Sequence, residues 1–181
     1  MFSIVLSISI TACGFHYNVK GRVVDEITGK PIKGASIAIH WTGKKIDAVF
    51  APYADGTYSV EIAKDISDNN GYFRIPYYSL KSFDMGVYKK GYVCWDSRYI
   101  FLQGEPIKTK DQFGIRTYDV KDRTDFKVRD GMVIELEPFT AKKLKVRARH
   151  ASFVVNTSRE SGGLNGIGEE VQIYDNYYWN K

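Results

Sequence analysis

The sequence predicts a mainly β fold, a β-sandwich of about seven strands followed by a short helical C-terminal extension. Residues 19 to 25 and residues 35 to 42 alternate in side-chain character with a period of two, which is typical of strands that bury one face. Residues 25 to 34, between these runs, include Asp, Thr, two Gly and one Pro, so the chain is expected to reverse there. The aromatic content of 14%, with 13 Tyr, also suits strands better than helices.

These first two runs predict a β-arch that opens the sandwich. The alternation assigns the buried faces to Val19, Gly21 and Val23 in the first strand and to Ala35, Ile37 and Ile39 in the second. Pro31 has no backbone N–H to donate to a sheet, which places it in the reversal between the strands.

The segment after the arch predicts a third strand. Residues 43 to 60 are interpreted as an insertion with a hairpin that closes at Asp55-Gly56. Residues 59 to 66 then form a strand whose apolar side chains, Val60, Ile62 and Ile66, are expected on one side.

The next elements follow a strong turn signal. Residues 68 to 71 read Asp-Asn-Asn-Gly, and Asn and Gly tolerate the left-handed backbone conformation that a tight turn needs. Residues 72 to 75 resume the strand, with Phe73 and Ile75 facing inward.

The second half of the sandwich is less regular in sequence. Residues 84 to 95 predict a strand pair or one kinked strand, with the bend near Lys89-Lys90-Gly91, and residues 96 to 125 are polar and predict a long loop. Residues 126 to 136 predict a final hairpin or strand around the Asp130-Gly131 turn. The alternating apolar residues of this last segment are Met132, Ile134 and Leu136.

The C-terminal region supports two interpretations. Residues 143 to 149 alternate with a period of two, as in a strand, whereas the spacing of Leu144, Ala148, Ala151 and Val155 forms a helical stripe. We predict a helix, with Thr140 as its cap and Phe139 packed on Leu144 as a hydrophobic staple. A second short helix is expected at residues 167 to 173.

The first residues of the sequence predict where in the cell the protein is located. Residues 1 to 12 are almost wholly apolar and end in Ile-Thr-Ala before Cys13, which resembles the lipobox of a bacterial lipoprotein signal peptide. We therefore expect residues 1 to 13 to be a signal peptide with its lipidation site at Cys13, and residues 14 to 18 to be a tether. Gly14, in place of Asp, favours the outer membrane. No Lys or Arg precedes the apolar run, which leaves a late start codon or a buried strand as alternatives.

Charge and cysteine content exclude some partners. The net charge of +5 is spread along the chain, except for the basic run from Lys142 to Arg149, and no recognition helix or stacking motif accompanies it. We expect no nucleic-acid partner, and we interpret the basic run as a solvated helix face in preference to a surface for lipid headgroups. Lipidation of Cys13 leaves Cys94, within an apolar stretch, as a lone buried thiol.

Three motifs resemble the carboxypeptidase regulatory-like family, whose fold is transthyretin-like or prealbumin-like. They are V-K-G-R-V-V-D-E-I-T-G-K-P-I-K-G-A-S-I at residues 19 to 37, S-D-N-N-G-Y-F-R-I-P at residues 67 to 76 and Y-K-K-G-Y at residues 88 to 92. The resemblance implies one sandwich domain over residues 19 to 138, with residues 139 to 181 as a helical extension and tail. It implies no particular activity, because one fold hosts many functions.

The sequence offers no catalytic signature. None of the three histidines, His16, His40 and His150, begins the H-x-x-E pattern of a zinc peptidase. Transthyretin-like hydrolases end in Tyr-Arg-Gly-Ser, and this chain ends Y-Y-W-N-K. The chain also lacks a G-x-S-x-G elbow and a phosphate-binding Gly-rich loop, so we expect neither catalysis nor a cofactor or metal.

Aromatic residues are the candidate binding residues, namely Trp41, Tyr53 and Tyr58. Aromatic side chains of a sandwich usually pack in its core, but an exposed row stacks on sugar rings or holds a protein partner. We therefore expect a lipid-anchored protein of the bacterial cell envelope that serves as a structural or protein-interaction module. The alternative is a carbohydrate-binding accessory module of the cell surface.

Overall fold

The computed structural model describes residues 16 to 44 and 56 to 179, apart from the side chain of His16. These residues form eleven strands and two helices: β1 His16–Asp25, β2 Ser36–Lys44, β3 Thr57–Ile66, β4 Tyr72–Tyr78, β5 Ser82–Tyr88, β6 Trp95–Asp96, β7 Tyr99–Phe101, β8 Ile107–Asp111, β9 Gly114–Tyr118, β10 Val120–Asp122, β11 Met132–Leu136, α1 Leu144–Ser161 and α2 Gly168–Trp179. The predicted fold class, mainly β with a helical C-terminal extension, is confirmed.

Two sheets form the sandwich. One has the strand order β11-β1-β4 and the other β10-β7-β6-β5-β2-β3, while β8 and β9 make a separate two-stranded sheet. β11 runs parallel to β1, and β4 runs antiparallel to it. The core between the two large sheets is built from the alternate apolar residues of their strands.

The predicted β-arch is present, with β1 in one sheet and β2 in the other. Val23 and Ile37 are fully buried on the facing sides of these strands. The carboxylate of Asp25 fixes the reversal by accepting hydrogen bonds from the backbone N–H groups of Ile27 and Thr28 at 3.1 and 2.7 Å. Pro31 lies opposite Val24 in an isolated bridge at the end of the arch.

The predicted inner face of the third strand is only partly correct. The pairing of β2 with β3 shifts register between Trp41 and Thr42, so that Val60 is an extra residue in β3. Val60 and Ala63 pack against the core as a result, whereas Ile62 is exposed on the other face. A bulge of this kind breaks the period of two that the prediction assumed.

The prediction of a long loop over residues 96 to 125 is wrong. β7, β8, β9 and β10 lie there, and these four short strands account for the difference between the eleven strands of the described residues and the predicted seven. Each is five residues or fewer, which is too short for a clear alternation of side chains. The segment from 126 to 136 contains one strand, β11, and the predicted strand pair in residues 84 to 95 is present as β5 and the start of β6.

The C-terminal helices cover the outer face of the six-stranded sheet. α1 buries Ala148, Ala151 and Val154, and Gly86 on β5 leaves room for the side chain of Thr157. A second hydrophobic cluster forms between these layers from Ala38, Tyr88, Val93, Cys94, Phe101, Phe153, Val154 and Leu164. The extension is therefore a packed layer of the fold. Neither α1 nor α2, the helices of the described residues, combines the length and apolar character needed to cross a membrane.

The start of α1 differs from the prediction. Its N-cap is Lys143, which makes no side-chain capping bond, and Thr140 instead donates its backbone N–H to Gln103 Oε1 at 2.9 Å. Phe139 stacks on the ring of His150 with centroids 4.2 Å apart, whereas Leu144, its predicted partner, is exposed. The staple does not form, because Phe139 packs inward beside Phe101 and His150 while Leu144 faces solvent.

Candidate functional site

The two edges of the sandwich differ in how they are closed. At the β3/β4 edge, Asp65 on one sheet accepts a hydrogen bond from the backbone N–H of Arg74 on the other at 2.6 Å. Nearby, the hydroxyl of Tyr78 donates to the carboxylate of Glu61, and this bond raises the pKa of Tyr78. These contacts join the sheets across that edge.

The opposite edge is open. β11 and β10 are the outermost strands of the two sheets there, and the space between them is a cleft of about 730 Å³. A volume of this size lies in the range of ligand pockets, ~300 to 1,000 Å³. The open edge is therefore the candidate binding site, and we call it the edge cleft.

The walls of the edge cleft carry opposite charges. Glu135 and Glu137 line it from β11 and the residues that follow, and Lys121 lines it from β10. Val133, on β11, is 55% exposed at its rim. Apolar side chains line it as well, namely Val93, Trp95, Ile100, Phe101, Phe126 and Met132.

Arg123 sets the position of the basic wall. Its guanidinium lies 4.5 Å above the ring centroid of Trp95, and its Nε donates to the carbonyl of Asp96 at 2.8 Å. Burial lowers the pKa of Arg123, and the carboxylates of Asp125 and Asp96 act in the opposite direction. The same segment contributes Phe126, which packs edge-on against Trp95 with centroids 4.6 Å apart.

A second cluster of polar groups lies beneath the C-terminal helices. His150 is fully buried, and its Nε2 accepts the backbone N–H of Cys94 at 2.8 Å. Its Nδ1 therefore carries the proton and faces Glu170 Oε2 at 3.7 Å. The hydroxyl of Tyr88 lies 3.4 Å from the other carboxylate oxygen of Glu170. We call these residues the His150 cluster.

The His150 cluster holds a thiol, an imidazole and a carboxylate, the three types of a nucleophilic triad, but not in that geometry. The Nε2 of His150 is occupied by a backbone N–H, so it is not available to take the proton of the Cys94 thiol. Cys94 is buried, and burial raises the pKa of its thiol. The arrangement holds α2 against the sheet and does not activate Cys94.

The structure separates the predicted binding residues. Trp41 is 1% exposed and packs in the core among Tyr77, Tyr78 and Phe83, so its ring has no free face for a ligand. Tyr58 is 40% exposed on β3, and Lys81 donates to its hydroxyl at 2.7 Å. Tyr53 and the predicted lipidation site Cys13 lie outside the described residues.

The other residues singled out in the sequence have local structural contacts. His40 is half-buried, with its Nε2 2.9 Å from the hydroxyl of Ser59. Asp68 accepts backbone N–H groups from Asn70 and Tyr72 at 2.8 and 2.9 Å, as expected for the predicted turn. Neither residue contributes to the edge cleft.

No protein-family model and no curated protein matches the sequence. Among solved structures, the chain is similar to 3-chlorocatechol 1,2-dioxygenase from Rhodococcus opacus 1CP, with 14% identity and a TM-score of 0.38 over 69% of this chain and 61% of that one. It thus spans less than two thirds of that dioxygenase. It is also similar to the C-terminal domain of the shaft pilin SpaA from Lactobacillus rhamnosus GG, with 11% identity and a TM-score of 0.31 over 68% of this chain and 98% of that one. TM-scores this low support no argument about the chain.

Proposed function

We propose that this chain is a non-catalytic protein-interaction module of the bacterial cell envelope, and that it holds an extended segment of a partner protein in the edge cleft. The observation that carries the proposal is the position of β11: it is an outermost strand of its sheet, and it borders a cleft between oppositely charged walls.

The backbone of β11 supports binding of an extended segment. A strand at the edge of a sheet has backbone N–H and C=O groups with no neighbouring strand on one side, and a peptide can add there as a further strand. The described β11 has β1 as its only strand partner. Val133 and Glu135, alternate residues on this strand, both line the cleft, where they can contact alternate side chains of the added segment.

The charges of the cleft favour a peptide over a polyanion. Glu135 and Glu137 on one wall repel a uniformly acidic ligand, and Lys121 on the other wall repels a uniformly basic one. A segment that carries both signs of charge satisfies both walls at once. The apolar side chains of the lining can contact the side chains of the segment that point inward.

The same proposal includes a fold family and an anchor. The three motifs of the carboxypeptidase regulatory-like resemblance fall at the β-arch, at the β3–β4 turn and at the bend after β5, which supports assigning the sandwich to that family. The geometry of the His150 cluster supports a role without nucleophilic catalysis. Lipidation at Cys13 would hold the module on a membrane surface.

The cleft can be tested with a displayed library of linear peptides selected against the purified protein. We expect enriched peptides that alternate apolar residues with charges of both signs, and we expect Val133→Asp to weaken their binding about tenfold or more, because it adds charge at the strand edge. Leu80→Asp is the matched control, since Leu80 is 82% exposed and does not line the cleft. Equal affinity of the Val133→Asp and wild-type proteins would rule out the cleft, and retention on polysaccharide would favour the carbohydrate-binding alternative.

The anchor can be tested by metabolic labelling with a palmitate analogue in bacteria that express the chain. We expect label on the wild type and on Cys94→Ser, and none on Cys13→Ser, because the lipobox cysteine is the residue that is acylated. An unlabelled wild type, or a labelled Cys13→Ser variant, contradicts the anchor and leaves the cleft untouched.

A further inference from the structure

The hairpin of β8 and β9 has no protecting layer. All ten residues of its two strands are exposed, whereas every strand of the two large sheets includes at least one buried or half-buried residue. A two-stranded hairpin is at best marginally stable in water without a surface to pack on. The sequence prediction of a long loop gave no sign of this element.

Apolar side chains lie on both faces of the hairpin and at its tip. Ile107 pairs with Tyr118 on one face, and Ile115 pairs with Lys110 on the other, because side chains three residues apart on a strand point to opposite sides. Phe113, at the tip, is 75% exposed, and Ile115 is 72% exposed. A docked protein covers one face of a hairpin, whereas the interior of a bilayer can receive both faces of an inserted tip.

Cations accompany these apolar residues. Residues 107 to 118 contain Lys108, Lys110 and Arg116 against the single acid Asp111, so three positive charges less one negative charge leave +2. Asp111 is itself paired with Arg116, with Nε and Oδ2 3.1 Å apart. Basic side chains behind an apolar tip match the layered chemistry of an acidic bilayer, with its anionic headgroups outside and hydrocarbon within.

The base of the hairpin is fixed to the basic start of α1. Arg149, largely buried, donates from Nη1 to Asp119 at 2.8 Å and from Nη2 to the carbonyl of Gly104 at 3.1 Å, and these two residues flank the hairpin. The start of α1 and the two residues before it add further exposed residues, Lys142, Lys143, Leu144 and Lys145. The hairpin and the helix start thus belong to one region of the molecule.

We propose that this region is a docking surface for an anionic lipid membrane, with Phe113 and Ile115 inserted among the headgroups and Lys108 and Lys110 in contact with lipid phosphates. Its charge complements an acidic bilayer, and its apolar residues point in several directions, as insertion allows. The surface is separate from the edge cleft and does not require an acyl group, so either can be absent while the other remains.

The test uses the full chain in a Cys13→Ser background, where acylation cannot contribute, and co-sedimentation with vesicles. Phosphatidylcholine vesicles that contain about one quarter phosphatidylglycerol should bind the protein, with binding weakened by salt, and pure phosphatidylcholine vesicles should bind it poorly. Lys108→Gln/Lys110→Gln should weaken binding about 30-fold, and Phe113→Ser/Ile115→Ser about tenfold or more. Lys30→Gln/Lys33→Gln and Leu80→Ser are the matched controls, and both should bind as the parent does.

Insertion of the hairpin tip into the bilayer can be measured directly by fluorescence. Phe113→Cys, labelled with an environment-sensitive fluorophore, should shift to shorter wavelength with acidic vesicles, and Leu80→Cys labelled in the same way should not. Cys94 does not compete for the label, because it is buried and burial raises its thiol pKa. Equal binding of the Phe113→Ser/Ile115→Ser variant and its parent, equal binding to neutral vesicles, or an unshifted probe at position 113 overturns the proposal. Unchanged melting temperatures show that the variants are folded, as expected for exposed positions.

Discussion

Replacing Trp41 with alanine is expected to lower the free energy of unfolding by about 3 to 5 kcal/mol, the usual cost of deleting a large aromatic side chain from a core. Trp41 is 1% exposed and lies edge-on to Tyr77 with ring centroids 5.7 Å apart, and its ring centroid is 5.2 Å from that of Phe83. The remaining side chains cannot fill the space left by the indole ring unless both sheets move. Urea denaturation followed by far-ultraviolet circular dichroism measures the loss.

Trp41→Phe is the control that separates packing from chemistry. The indole Nε1 of Trp41 is buried and has no hydrogen-bond partner among the residues that the structure describes, so phenylalanine keeps much of the apolar contact and removes an unsatisfied donor. We expect it to cost about 1 kcal/mol or less. A Trp41→Ala variant as stable as the wild type, but deficient in binding a ligand, would contradict the core assignment and restore Trp41 as a binding residue.

The position of Trp41 shows what the alternation of side chains in the sequence can predict. Ile37 and Ile39 were assigned to the buried face by their alternation, and the same alternation continues to Trp41 at the next inward position. Trp41 was predicted to bind a ligand because of its residue type, although the period of two already placed it on the buried face of the strand. The β-arch and the inward residues of β1, β2 and β4 were predictable because each is a long, regular run.

The edge cleft could not be predicted in the same way. Its lining comes from segments far apart in the chain, such as Glu26 just after β1 and Lys121 on β10, and β10 has only three residues. The His150 cluster likewise joins Tyr88, Cys94, His150 and Glu170 from β5, the residues before β6 and the two helices. Contacts of this kind depend on tertiary packing, which local periodicity does not encode.

The His150 cluster provides the second large effect. His150→Leu preserves much of the volume but leaves the buried N–H of Cys94 without an acceptor and the carboxylate of Glu170 without its neighbouring imidazole. Uncompensated buried groups of this kind cost about 3 to 5 kcal/mol in total. His40→Leu is the matched control, because the half-buried His40 leaves partners that water can reach, and we expect it to cost about 1 kcal/mol.

The pH dependence of this loss identifies its cause. Burial acts to raise the pKa of Glu170, but His150, Tyr88 and Arg147 outweigh it, and the net pKa lies below the ordinary value. A lowered pKa contributes stability above the unfolded-state value of about 4.3, and this contribution is lost as the pH falls through the folded-state pKa. In His150→Leu the burial effect is no longer opposed by the imidazole, so protonation of Glu170 relieves part of the damage.

The stability difference between wild type and His150→Leu should therefore be largest near neutral pH and should shrink between about pH 5 and pH 3.

A double-mutant cycle isolates the interaction between His150 and Glu170. Glu170→Gln keeps the shape of the side chain and removes its charge, so the double variant should be more stable than the sum of the two single losses predicts. The other charged and titratable groups around Glu170 are Tyr88, whose pKa burial raises, Arg147, whose positive charge lowers the pKa of Glu170, and the exposed Lys90–Glu169 pair. Burial moves the pKa of Tyr88 further above this pH range, and a Glu169→Gln control removes the acid of the Lys90–Glu169 pair. A difference that stays constant across this range means that the cost of losing His150 comes from the orphaned N–H of Cys94 alone, and that Glu170 does not hold α2 to the sheet through its charge.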